Sequence, residues 1–212
     1  MRLTHFGHAT VLVETDAGGR VLFDPGTYAS GFESLTGLDA IVITHAHPDH
    51  VDAARLPALR AANPEAVLVS NAAGAAAAGD PGPRDLVIGD AGTVEVAGIR
   101  LRPTGEQHAP IHPALPELAN TGIIVDERVW HPGDAFDAAP EPVDVLLLPV
   151  GGPWMKVSDA IDFARAVGPR IIVPIHQAGL AEVHQQLHYG LLKNLVPDSD
   201  LVVLEAGVSR EV

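Results

Sequence analysis

Residues 44–50 read Thr44-His45-Ala46-His47-Pro48-Asp49-His50, directly after the apolar run Ala40-Ile41-Val42-Ile43. Three imidazoles and a carboxylate therefore fall within six consecutive residues at the end of what reads as a buried strand. Borderline-soft cations such as zinc take imidazole nitrogen together with carboxylate oxygen, and a loop leaving a rigid strand can hold several such groups at roughly 2 Å from a metal. The alternative is a polar turn that merely happens to be rich in histidine. The number and order of the groups speak against it.

The rest of the chain narrows the chemistry. Its 212 residues suit one domain, 1–212, with one core. No apolar run approaches the roughly 20 residues that span a bilayer, and Met1-Arg2-Leu3-Thr4-His5 turns polar too early for a secretory signal. A soluble, cytoplasmic protein with no membrane partner is expected. The chain has no cysteine, which removes disulfides, thiolate nucleophiles and cysteine-based zinc sites and leaves ligation to histidine and carboxylate. A formal charge of -14, with Lys156 and Lys193 as the only lysines, argues against a nucleic-acid partner. Bound cations would offset some of that charge, although acidity also serves plain solubility.

Pattern and turn chemistry predict the elements. Leu3 to Thr15 and Val21-Leu22-Phe23 form a hairpin around Asp16-Ala17-Gly18-Gly19, and Asp24-Pro25-Gly26 stops its second strand. A helix is expected from Pro57 to Ala62, a strand from Ala66 to Ser70 and an alanine-rich helix from Asn71 to Ala78. Arg84 to Ile88, Gly92 to Val96 and Ile99 to Pro103 read as an antiparallel meander, its turns at Gly89-Asp90-Ala91 and Ala97-Gly98. Thr121 to Val125 and Arg128 to His131 read as a further hairpin. Val143 to Val150, Arg170 to Ile175 and Leu201 to Glu205 are strands. Helices are expected at Asp159 to Val167, capped by Ser158, and at about Leu180 to Leu192.

His45, His47, Asp49 and His50 match the His-x-His-x-Asp-His signature of the metallo-β-lactamase superfamily, which this chain resembles over nearly its whole length. The resemblance implies an α+β fold, the αβ/βα four-layer sandwich, with metals along the edge where strand ends meet. It also implies the remaining ligands. His108, after Thr104-Gly105-Glu106-Gln107, stands where the family has the third ligand of a first metal with His45 and His47. His176, ending Val173-Pro174-Ile175, completes a second with Asp49 and His50. Asp134, in Pro132-Gly133-Asp134, is the bridging carboxylate. The family's Gly-Asp is ordinarily followed by Thr or Ser; here Ala135 follows, so the support of Asp134 passes to some other group.

That site is a dimetal hydrolase in outline. Two divalent cations, zinc first with Mn2+ or Fe2+ also compatible, lower the pKa of a shared water and polarise a carbonyl or phosphoryl oxygen. Asp49 and Asp134 are the catalytic carboxylates, Asp49 also as a proton carrier. The Gly7-His8-Ala9 opening, the Gly151-Gly152-Pro153-Trp154 loop and Pro174-Ile175-His176 resemble the ascorbate-phosphate lactonase-like branch, which implies a small lactone, ester or phosphodiester as substrate. His8, His112 and Trp154 are candidate substrate contacts, Glu117 joins His112 as a candidate on the same loop, and His5 and His8 could instead face the metal loop and support it. For each an alternative stands: His5 and His8 as surface or capping groups, His112 as a solvated loop residue beside Glu117, Trp154 as core. His184 and His188 read as surface or subunit-contact residues, and a homo-oligomer is compatible with the sequence. The competing function is a catalytically idle metal-binding or regulatory module on the same fold.

Overall fold

The computed structural model of the protein describes residues 1–79, 82–88, 92–137 and 142–212. The first half runs β1 (Arg2–His5), β2 (Val11–Glu14), β3 (Arg20–Phe23), β4 (Ala40–Ile43), α1 (Leu56–Ala62), β5 (Val67–Ser70), α2 (Ala72–Ala77) and β6 (Leu86–Val87). The second runs β7 (Val94–Val96), β8 (Ile99–Thr104), β9 (Gly122–Val125), β10 (Val129–His131), β11 (Val145–Pro149), α3 (Val157–Val167), β12 (Ile171–Ile175), α4 (Glu182–Leu195), β13 (Asp200–Leu201) and β14 (Ser209–Glu211). The described strands form two seven-stranded sheets, ordered β14-β1-β2-β3-β4-β5-β6 and β13-β12-β11-β10-β9-β8-β7.

Side chains alternate across each strand, so a strand buried on both faces supplies two different cores. In β4, Ala40 and Val42 face the second sheet, where Leu147 and Val173 join the same cluster. Its other face presents Ile41 and Ile43 to Leu56 and Leu59 of α1 and to Phe32. In β11, Leu146 and Leu148 turn outward to Ala160 and Phe163 of α3 and to Leu192 of α4. Helix, sheet, sheet and helix stack in four layers, the expected αβ/βα sandwich. None of the described helices is long and apolar enough to cross a membrane.

Several local expectations are corrected. The N-terminal stretch is two antiparallel strands, β1 and β2, broken by a turn at residues 6–10. Leu86–Val87 is not in a meander with β7 and β8. It pairs in parallel with β5, because α2 carries the chain back before β6 enters. β7 and β8 do pair antiparallel; the expected Gly89-Asp90-Ala91 turn lies outside the described residues. Ser158 does not cap α3. The helix begins two residues earlier, at Val157, and the carboxylate of Asp159 accepts from the amide of Lys156, the N-cap residue, at 2.7 Å. The last stretch pairs only at Asp200–Leu201, at the edge of the second sheet, and the chain then adds β14 beside β1 at the edge of the first.

Within each sheet, β3-β4-β5 and β10-β11-β12 run parallel, so their C-terminal ends line up along one edge. The loops after β3, β4, β10, β11 and β12 meet there. Hydrogen bonds from the Thr121 amide to the Thr44 carbonyl (2.9 Å) and from the His176 amide to the His8 carbonyl (2.8 Å) join the two halves across it.

Candidate metal centre

The loop after β4 is held by the end of β3. Asp24 is fully buried; its Oδ1 accepts from the Thr44 amide at 2.8 Å, and its Oδ2 takes the Thr44 hydroxyl at 2.7 Å and His50 Nδ1 at 2.6 Å. Gly26 packs so closely under Asp49 that any Cβ there would collide with the Asp49 carbonyl. Arg55 clasps the same turn, donating to the Asp52 carboxylate (2.6 Å), the Gly26 carbonyl (2.7 Å) and the Ala29 carbonyl (2.9 Å). In the sequence Asp24-Pro25-Gly26 reads only as a strand stop. The signal for more was a carboxylate directly after a buried strand, beside a glycine.

Two groups of side chains converge among the described residues, the ligand atoms of each lying within 4.8 Å of one another: His45, His47, His108 and Asp134, and His8, Asp49, His50 and His176. All seven expected ligands are therefore brought together, and the structure adds His8. Asp134 reaches both groups. Its Oδ2 lies 3.4 Å from His108 Nε2, 3.9 Å from His45 Nε2 and 3.0 Å from His176 Nε2, and its Oδ1 lies 3.2 Å from His50 Nε2.

The donor set fits a divalent metal on independent grounds. Nε2 of His50, His108 and His176 and Oδ1 of Asp134 are buried without any hydrogen-bond partner, an arrangement that costs about 1–3 kcal/mol for each group unless something satisfies it. The tautomers point the same way. His108 Nδ1 bonds the Ala109 carbonyl at 2.5 Å, His176 Nδ1 the Gly151 carbonyl, and His50 Nδ1 the Asp24 carboxylate. Each partner is an acceptor, so Nδ1 carries a proton in all three rings, and Nε2, the atom aimed at the centre, is the one that offers a lone pair in the neutral form.

Charge tells the same story. Burial pushes Asp134 up, but the surrounding His50 and His176 hold it well below the ordinary carboxylate range. Burial disfavours a proton on His50, yet Asp134 and Asp24 on either side raise it well above the usual imidazole value. A cation would satisfy the same two carboxylates, so metal uptake releases that proton. Burial lowers His45 and His8, keeping both neutral. Asp49 is pulled down to about 2, burial being outweighed by its bond to His8 and the charge of His50.

The support that Ala135 cannot give Asp134 comes from Trp154. Its indole Nε1–H donates to Asp134 Oδ2 at 2.8 Å, while the Asp134 amide donates to Asn120 Oδ1 at 3.0 Å. A side chain at Gly152 would meet the indole nitrogen at 2.7 Å, so the Gly-Gly-Pro-Trp loop is shaped for this contact. Trp154 also lines the open cavity over the two groups. His8 is buried and turned to the metal loop. Its Nδ1 accepts from the Ala178 amide at 3.4 Å, so Nε2 bears the proton given to Asp49 Oδ2 at 3.0 Å. Its carbonyl accepts from His5 Nε2 at 2.9 Å, so His5 is a buried prop and not a surface group.

His131 was anticipated only as a strand end. Its Nδ1 accepts from the Gly133 amide, so Nε2–H donates to the Ala9 carbonyl at 3.0 Å. Asp24, His8 and His176 all have left-handed backbone (φ 43°, 51° and 62°), a conformation costing ~1–3 kcal/mol for a residue with a side chain. Their bonds across the edge hold them there. His112 stands apart from both groups, on the rim of a second cavity, where its Nδ1 accepts from the Ala114 amide. His184 is exposed, and the half-buried His188 bonds the Val150 carbonyl at 2.8 Å.

Residues 2–176 match the family model described as "Beta-lactamase superfamily domain". A protein of Mycobacterium tuberculosis is 46% identical over 200 residues, covering 92% of each chain. A UPF0173 metal-dependent hydrolase of Opitutus terrae is 30% identical over 200 residues, covering 83% of this chain and 84% of that protein. The structure of Igni18, a metallo hydrolase from Ignicoccus hospitalis, superposes with a TM-score of 0.74 at 24% identity, over 100% of this chain and 98% of that one.

Proposed function

We propose, from the premise that this chain belongs to the beta-lactamase superfamily and has the metal-dependent hydrolases of that family as its relatives, that it is a dimetal hydrolase of a small lactone, ester or phosphodiester. The observation that carries this reading is the set of buried imidazole nitrogens and the Asp134 oxygen that converge without partners. His45, His47 and His108 would hold one cation, Asp49, His50 and His176 the other, and Asp134 both. Zinc suits these ligands, as do manganese and iron.

When bound, the cations supply Lewis acidity toward the oxygen of the scissile group and bring the ionisation of water into the neutral range. The chain's own groups do the rest. Asp49 stays ionised at neutral pH and accepts His8 Nε2–H through Oδ2, the oxygen that also faces His176 Nε2 at 3.6 Å, so a charged carboxylate able to ligate or to take up a proton is held at the second group. Trp154 and Asn120 fix Asp134 from its side chain and its backbone. Asp24 fixes His50, and the carbonyls of Ala109 and Gly151 fix His108 and His176, so the donor atoms keep their aim before any ligand arrives. Tyr28, edge-on to His8 with ring centres 5.2 Å apart, stands at the mouth of the cavity.

The resemblance of the Gly-His and Gly-Gly-Pro-Trp segments to the lactonase-like branch supports a lactone or related ester within this class. The test pairs a panel of lactones, esters and phosphodiesters with the variants Asp134→Asn and His176→Ala. Both variants should lose turnover by at least about 100-fold while keeping the far-UV spectrum of the parent. Retention of activity in either variant would contradict the assignment.

A further inference from the structure

The cavity over the candidate ligands has a volume of about 570 Å3, and a second cavity of about 370 Å3 lies beside it. His47, His108 and Ile111 form walls of both, so the second is a side chamber of the first. The loop from Ala109 to Leu118 builds this chamber. Pro110, Pro113 and Pro116 fix their backbone angles, so its shape is held in advance and little ordering is needed when a ligand enters. Ile111 and Leu115 are 38% and 54% exposed on this loop, apolar surface that a hydrocarbon chain would cover.

Charge sorts the ligands that could lie there. Among the described residues no Lys or Arg forms part of either cavity's wall. Arg55, next to the metal loop, is turned away and engaged by Asp52, Glu33 and two carbonyls. The side chamber instead contributes the carboxylate of Glu117, and the main cavity those of Asp49 and Asp134. Bound cations would draw an ester carbonyl and a phosphoryl group alike. The discrimination falls to these walls, which offer an anion no cationic side chain and a neutral apolar chain good contact.

Taking the hydrolase reading as given, we infer that the substrate is an uncharged carboxylic ester or lactone whose apolar chain lies along the 109–118 loop, and not a phosphodiester. The step balances simply. The oxygen of one water bonds to the carbonyl carbon, the acyl C–O bond breaks, one water proton ends on the departing alkoxide oxygen and the other is released from the new carboxylic acid. In a lactone the same bonds change and both products stay in one molecule.

The experiment uses the full chain loaded with Zn2+ and p-nitrophenyl esters from acetyl to hexanoyl, with bis(p-nitrophenyl) phosphate as the anionic probe. The expected result is a rise in kcat/KM of about fourfold per added methylene, the equivalent of about 0.8 kcal/mol. The hexanoyl ester should also show a KM at least about tenfold below that of the phosphodiester. Leu115→Asp, a change at an exposed position, should lower the hexanoyl-to-acetyl ratio of kcat/KM by about tenfold or more. A flat chain-length profile, an unchanged ratio in Leu115→Asp, or tighter and faster handling of the phosphodiester would overturn this inference and leave the hydrolase reading standing. Absence of turnover on every probe by the fully loaded protein would overturn both.

Discussion

The contact between Trp154 and Asp134 gives the sharpest single-residue prediction. Trp154→Phe removes the indole Nε1–H, 2.8 Å from Asp134 Oδ2, and leaves an aromatic ring against Phe136, whose ring centre lies 5.0 Å away. Asp134 is buried and accepts no other side-chain hydrogen bond among the described residues, so no other side chain replaces the lost donor. A hydrogen bond to a charged group contributes about 1.5–3 kcal/mol, which corresponds to roughly 10- to 150-fold. The general effect of removing a group that orients a metal ligand, about 10- to 100-fold, falls in the same range. Metal affinity by chelator competition and kcat/KM should each fall by that amount in Trp154→Phe, with Tm changed by only a few degrees. If both stay within about twofold of the parent, Trp154 is merely a cavity wall and the account of Asp134's support is wrong.

Asp24→Asn should weaken binding of the cation held by His50, because the carboxylate fixing Nδ1 becomes an amide; titration with Zn2+ should lose its tighter phase by about 10- to 100-fold, with His45, His47 and His108 still loading. Gly26→Ala forces a Cβ into the Asp49 carbonyl and should cost several degrees of Tm by calorimetry, or about 1–3 kcal/mol; an unchanged Tm would refute the close approach. Burial lowers both His5 and His131, so each binds a proton more weakly folded than unfolded. Below about pH 6.5 the unfolded chain then holds more protons and stability falls as pH drops, a slope that His131→Gln should make shallower by up to about 1.4 kcal/mol per pH unit in urea titrations. Removing metal with a chelator should lower Tm, since cations at about 100 times their dissociation constant contribute about 2.7 kcal/mol.

The parts of this site that were legible in the sequence are the local ones. His45, His47, Asp49 and His50 fall within six residues after an apolar run, so order and spacing identify them without tertiary information. His108, Asp134 and His176 became readable through the family resemblance, Asp134 and His176 after strands that parallel pairing aligns at one edge, and His108 after β8, which antiparallel pairing with β9 points the same way as β10. What stayed hidden depends on contacts between distant segments. Asp24 lies 26 residues from the His50 ring that it orients, His8 is 41 residues from Asp49, and Trp154 is 20 from Asp134. Asp-Pro-Gly, Gly-His and Gly-Gly-Pro-Trp are each turn-like in isolation, and nothing local says which carboxylate they face. One strand was missed and another was given the wrong partner, for a related reason. Ser209-Arg210-Glu211 has no apolar pattern because it covers the edge of β1 with every side chain exposed, and Leu86-Val87, expected as a strand, carries no local sign that it pairs in parallel with β5 and not in a meander.

The central claim is that seven side chains of this chain form a site for two cations. It is tested most directly by metal content per chain after loading with Zn2+ and exhaustive dialysis, measured alongside Asp134→Ala. The account predicts about two metals per chain in the parent and a clear loss in the variant, since Asp134 contributes to both positions. A parent protein that holds no metal after loading, or a variant that holds as much as the parent, would contradict it.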